Sequence, residues 1–245
     1  MDPSIHTNKK KILDILRDGE ITLQGQFVLG YNYTFLIEIG DKDISQKAVY
    51  KPDKGQQPIW DFPDYNLSRR EVAAYLVSDY LGWDLVPATV LRKTGPLGPG
   101  SVQLYVDHDP NHHYFTFNED TRSSLHSTAL FDILINNADR KGGHILLDSS
   151  KKIWLIDHGL CFHEEEKIRT VIWDFAGQPI PKYLLADLEQ FKQALVTPGT
   201  VLKSLSKLIS KSEMSSLRSR CQQLIGSPIF PHPPSDRRYF PYPPV

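Results

Sequence analysis

The chain has 245 residues, 40% of them hydrophobic and 23% charged, enough to bury a core without disulfides or a structural metal. Its 28 basic and 29 acidic side chains leave a formal net charge of −1, so nothing in the charge balance points to nucleic acid. Cys161 and Cys221 lie outside any CxxC pattern and read as reduced thiols, and no run suits a signal peptide or a membrane span, so a cytoplasmic protein is expected.

Residues 8–18 (NKKKILDILRD) carry apolar side chains at 12, 13, 15 and 16 and predict a short amphipathic helix. The segments ITLQGQFVL, NYTFLIEIG and QKAVYKP are rich in β-branched and aromatic residues and predict an antiparallel meander. SRREVAAYLVSDYLG predicts a helix, with Ser68 and Glu71 at capping-box spacing and Gly82 as its stop. DLVPATVLR and SVQLYVD read as two further strands around the turn segment KTGPLGPG.

From about residue 108 the pattern turns helical. LHSTALFDILINNA puts Ala129, Leu130, Ile133 and Leu134 on one helix face. HILLD and KIWLID, joined by Ser149-Ser150-Lys151, predict a hairpin. Three helices follow: PKYLLADLEQFKQAL with Pro181 in its first turn, VLKSLSKLI, and SEMSSLRSRCQQLIG ending at Gly226. Leu184, Leu188, Phe191 and Leu195 read as helix core, and Trp173, Phe175 and the turn at 179–181 as packing. The segment 227–245 holds seven prolines and is expected either to lie over the surface or to be disordered. The expected class is α+β with two lobes: 1–106, β-rich around one central helix; 107–226, mostly helical and holding the hairpin; then the tail 227–245.

The residues that bear chemistry sit at element ends. Lys51 closes an apolar strand on the same face as Val49, so a covered face would require a partner for its ammonium. Glu71 is one candidate partner, although the capping box alone also explains it. Asp139 lies in the tight loop Asp139–His144, and Asp157 ends the apolar strand IWLID before His158-Gly159. A carboxylate there is costly unless charged partners or a metal satisfy it, while two turn-capping aspartates remain the structural alternative.

AVYKP, RREVAAYLV, NNADRKGGHILLD and IWLIDHGLCF, in that order, resemble the phosphatidylinositol 3/4-kinase-like branch of the protein-kinase-like superfamily. More closely, most of residues 20 to 185 resembles a compact bacterial family of that branch. The resemblance implies a two-lobed kinase-like fold using ATP with Mg²⁺ or Mn²⁺. It implies that Lys51 binds the α/β-phosphates and pairs with Glu71, that Asp139 orients the acceptor hydroxyl, and that His144 and Asp157 bind metal. VQLYVD then supplies an adenine hinge at Leu104 and Val106. Two departures stand out: His144 replaces the usual Asn, which widens the expected metal choice towards Mn²⁺, and the phosphate-covering loop offers only Gly25 and Gly30.

Other clusters carry simpler readings. DHDPNHH (107–113) reads as an exposed loop rather than a metal site. A metallohydrolase centre of Asp157, His158 and His163 lacks a recognised ligand spacing. Glu164-Glu165-Glu166 reads as a solvated face that would repel a phosphoinositide head group. The function expected is an ATP-dependent phosphotransferase acting on a hydroxyl of a protein or small molecule. The alternatives are a nucleotide-binding pseudokinase serving as a partner-binding module, or AMP transfer in the same pocket.

Overall fold

The computed structural model describes residues 3–27, 32–40, 44–57, 59, 62 and 67–245. Helix α1 (Pro3–Asp18) begins earlier than its apolar pattern and buries Leu16 against a sheet. The meander forms as expected from β1 (Glu20–Gln26), β2 (Phe35–Gly40) and β3 (Ser45–Pro52). With β4 (Thr89–Arg92) and β5 (Gly100–Leu104) it makes a five-stranded antiparallel sheet of order β1-β2-β3-β5-β4. Strand β4 is shorter than DLVPATVLR suggested, because Pro87 has no N–H to give a ladder. Alternation along β2 and β3 buries Ile37, Ile39, Ala48 and Tyr50 on one face, and Val102 of β5 joins them.

Helix α2 (Leu67–Tyr80) follows β3 and is wedged between the sheet and the second half of the chain, so nearly every turn is buried. The capping box expected at its start is not formed. Ser68 lies inside the helix and donates to Asp53 Oδ1 (2.5 Å), while Glu71 turns to partners described below. At its C-terminal end the chain leaves through Gly82 at φ +68°, a left-handed turn that favours glycine.

The second half carries α3 (Glu119–Ser123), α4 (His126–Ile135), the hairpin β6 (Ile145–Leu147) and β7 (Ile153–Leu155), α5 (Lys182–Ala194), α6 (Thr200–Leu205) and α7 (Lys211–Gly226). Its core gathers Phe131, Leu134, Phe162, Leu188, Phe191 and Leu217 around α4. All four apolar positions expected on α5 are buried, with Pro181 standing just before the helix instead of inside its first turn. Both cysteines are free and buried. Arg70 of α2 reaches across to Glu213 of α7 (2.5 Å) and to the Cys161 carbonyl, so a buried charge pair joins the two halves. The proline-rich segment lies over the surface in irregular form, anchored by Phe230, and no described helix is long and apolar enough to cross a membrane.

Candidate active site

A cavity of about 320 Å³ opens between the sheet and the hairpin. Val49, Leu104, Val106, Leu146 and Ile156 supply its apolar walls, and Lys51, Glu71, His144 and Asp157 line its inner end. The Val106 N–H carries no hydrogen bond to a described residue, whereas its carbonyl faces His108 Nδ1 at 2.8 Å. Asn32, Tyr33 and Thr34 border the cavity from the β1–β2 side. Gly25 sits at a register irregularity of β1, and Gly30 lies outside the described residues.

Lys51 is the centre of the charge arrangement. Strand alternation turns its side chain into the cavity, where Nζ bonds Glu71 Oε1 and reaches Asp157 Oδ1 at 3.0 Å. Burial by itself would lower the ammonium pKa, but Asp157 and Glu71 outweigh it and hold the group above its ordinary value. The other oxygen of Glu71 accepts the His158 N–H at 2.9 Å. One buried carboxylate therefore ties α2 both to β3 and to the turn after β7.

Asp157 occupies that turn at φ +61°, in the left-handed region that aspartate tolerates better than branched residues. Half of its side chain opens on the cleft. Its enclosure between the two halves would raise its pKa, yet Lys51 dominates and keeps the carboxyl well below the usual carboxylate range. His144 Nε2 stands 3.4 Å from Asp157 Oδ2. Burial lowers the His144 pKa to about 4, so the imidazole is neutral at physiological pH. Its Nδ1 lies 3.2 Å from the Asp139 carbonyl and also faces the Lys141 N–H at 3.5 Å. The neutral ring meets the Asp157 carboxylate as an Nε2–H donor in one tautomer and as a bare lone pair in the other. In the second tautomer a carboxylate oxygen and an imidazole nitrogen converge as a two-ligand set for a shared cation.

Among the described residues no group of three or more His, Cys, Asp or Glu could hold a metal ion. The Asp157–His144 pair is thus suited to Mg²⁺ or Mn²⁺ only if a ligand's phosphate oxygens and water complete the set, the usual habit of such ions at nucleotide sites. The 107–113 loop behaves as expected: Asp109 and His108 bond nearby backbone, and His112 meets Phe117 edge-on. The metallohydrolase grouping is not assembled, since His158 is fully buried with Nε2 on Arg140 at 2.8 Å and His163 packs on Phe62. Glu164, Glu165 and Glu166 are exposed.

Asp139 lies in the loop before β6, mostly buried, with Lys141 Nζ 3.7 Å from Oδ2. Burial lifts its carboxyl to about 6. The loop is held from beneath by groups whose roles the sequence reading did not assign. Arg140, fully buried, bonds Asp132 of α4 through Nε at 3.0 and 3.1 Å. Its Nη1 reaches the carbonyls of His144 (3.3 Å) and Ile156 (2.7 Å), while Nη2 faces His158. Asn137 and Thr170 complete the Asp132 shell at 3.0 and 3.1 Å. One guanidinium so fixes the positions of the Asp139 loop, the hairpin and the Asp157 turn. The available signal was the lone carboxylate inside ALFDILI, which burial obliges to find a cation.

The sequence model of the phosphatidylinositol 3- and 4-kinase family matches residues 29–194, a span that contains every residue of the site. Protein Rv2133c of Mycobacterium tuberculosis (strain ATCC 25618 / H37Rv) is 38% identical over 264 residues, covering 94% of each chain. Phosphatidylinositol 4-kinase gamma 4 of Oryza sativa subsp. japonica is 31% identical over 122 residues, 42% of this chain and 22% of the plant protein. Its counterpart in Arabidopsis thaliana is 28% identical over 51% of this chain and 26% of its own length, so the chain spans about a quarter of these plant proteins. Among solved structures, hydra Fam20 with sugar superposes with a TM-score of 0.56 at 16% identity, over 90% of this chain and 88% of that one. The Helicobacter pylori proinflammatory kinase CtkA gives 0.51 at 14%, over 88% and 94%. These two likenesses show that the fold is protein-kinase-like.

Proposed function

The chain belongs to the phosphatidylinositol 3- and 4-kinase family, and from the geometry of its cleft we propose that it is a metal-dependent phosphotransferase that moves the terminal phosphoryl group of ATP to a hydroxyl. The observation that carries this reading is the meeting of Lys51, Glu71, Asp157 and His144 at one end of an apolar-walled cavity, with Asp139 on the adjoining loop. We divide the chain accordingly into an N-lobe (1–106), a C-lobe (107–226) and the segment 227–245.

Each side chain has a task in this proposal. Val49, Leu104 and Ile156 sandwich a planar base, and the free Val106 N–H donates to its edge. Lys51, kept cationic and aimed by Glu71, holds phosphate oxygens. Asp157 and neutral His144 would hold the divalent ion, whose contribution is to neutralise charge on the phosphates. Asp139 accepts the hydrogen bond of the acceptor hydroxyl and takes its proton as the bond to phosphorus forms. A carboxyl lifted to about 6 is ionised at neutral pH yet more basic than an ordinary aspartate, which suits that task. The acceptor is a protein or a small molecule in a cytoplasmic setting. A lipid head group bearing phosphates fits less well, because the exposed Glu164–Glu166 run follows Asp157 and repels it.

Parallel reactions with ATP labelled at the α- or the γ-phosphorus test the proposal. ADP release and γ-label transfer are expected for the wild type. The Asp139→Asn variant should lose both by about 10²-fold or more while still binding nucleotide. Transfer of the α-label would assign AMP transfer instead.

A further inference from the structure

Residues 239–245 do not merely trail over the surface. After Phe230 is buried against Phe175, the segment runs exposed to Arg237, which pairs with Glu166, and then meets the loop that carries Asp139. The Thr170 N–H donates to the Tyr239 carbonyl (3.1 Å), and the Gly142 N–H donates to the Pro244 carbonyl (2.7 Å). Both donors flank Asp139. Gly142 follows it by three residues, and Thr170 is bridged to Arg140. The side walls are aromatic: Trp173 meets Tyr239 edge-on at 6.0 Å and sends Nε1 to the same carbonyl (3.4 Å). Phe115 packs so closely on Gly142 that an added Cβ would come within 2.8 Å of its ring, and 3.5 Å from the Pro244 oxygen.

Main-chain N–H donors set between aromatic walls suit an extended peptide backbone whose carbonyls are free to accept, with prolines and aromatic rings packing beside them. We propose that the surface flanking Asp139 is a groove for a proline- and aromatic-bearing polypeptide, occupied in cis by residues 239–244, which limit access to Asp139 until they leave. This inference rests on the phosphotransferase reading and narrows its acceptor to a protein segment. Release is local. Phe240 and Pro241 are the packed residues of this stretch, while Tyr239 and Tyr242 are exposed.

The test compares the full chain with a variant lacking residues 239–245, using a fluorescein-labelled peptide SDRRYFPYPPV for binding and ADP release from Mg²⁺–ATP, water being the acceptor, for access. The peptide should bind the shortened protein, and bind the full chain about tenfold more weakly, as expected where the groove is free only about one-tenth of the time. ADP release should rise several-fold on shortening and fall again when the peptide is added. Equal binding to both proteins, or ADP release that is unchanged or lower after shortening, would overturn the proposal. If the shortened chain does not melt cooperatively, Phe240→Ala in the full chain takes its place under the same criteria. Nucleotide that fails to stabilise the full chain would count against the phosphotransferase reading alone, because the peptide-binding arm needs no nucleotide.

Discussion

Asp139 and His144 are both partly enclosed, and desolvation moves them in opposite directions, the carboxyl to about 6 and the imidazole to about 4. The consequence for Asp139 is a stability cost of known sign. Its folded-state pKa is raised, so its contribution is fully present below pH 4 and is lost as pH rises through 6. At neutral pH the ionised carboxylate weakens the fold by up to about 3 kcal/mol. Asp139→Asn, melted in EDTA, should therefore gain several degrees at pH 7.5 and nothing near pH 4. An equal gain at both pH values would show that the carboxyl is not perturbed. For Glu71→Gln, the amide can still accept the His158 N–H, but Lys51 loses its buried counter-ion. Near-normal melting with nucleotide affinity lowered about tenfold is expected; unchanged affinity would detach Glu71 from phosphate binding. Serine and glutamate three apart look the same whether they cap a helix or lie within it, and here tertiary partners at Asp53 and Lys51 decided the matter.

The loop before β6, the β6–β7 hairpin and the end of α4 act as one unit because Arg140 binds all of them. Asp132→Asn would leave that guanidinium buried beside a neutral amide and should cost about 3–5 kcal/mol, read as a large fall in melting temperature. A fall of under about 1 kcal/mol would mean that the loop holds its shape without the pair. At this scale the sequence was legible where periodicity or turn chemistry speaks: the β1–β3 meander, α2, the hairpin and α5 all stand close to their expected places. From sequence Arg140 is legible only as a loop residue, because its partners are carbonyls, a carboxylate and an imidazole brought together by the fold. The path of 239–245 was illegible for a similar reason. Its two key bonds join main chain to main chain across about 70 and 100 residues, and no side-chain pattern encodes them.

Across the whole molecule, the two halves are bridged by Lys51–Asp157 at the cleft and Arg70–Glu213 behind it. The cleft bridge joins two groups that the proposal gives to phosphate and metal, so a bound metal–nucleotide complex competes with it and also links the halves. The order of the four quoted motifs was enough to foresee this architecture, since each contributes one wall of one cavity. The measurement that bears most directly on the central claim is a thermal-shift titration of ATP and ADP with Mg²⁺, Mn²⁺ or EDTA, on the wild type and on Asp157→Asn. Stabilisation that requires a divalent ion, about 2–3 kcal/mol at a hundredfold excess over Kd, and that disappears in Asp157→Asn, is the predicted result. A wild type that no nucleotide stabilises under any of the three conditions would contradict the account.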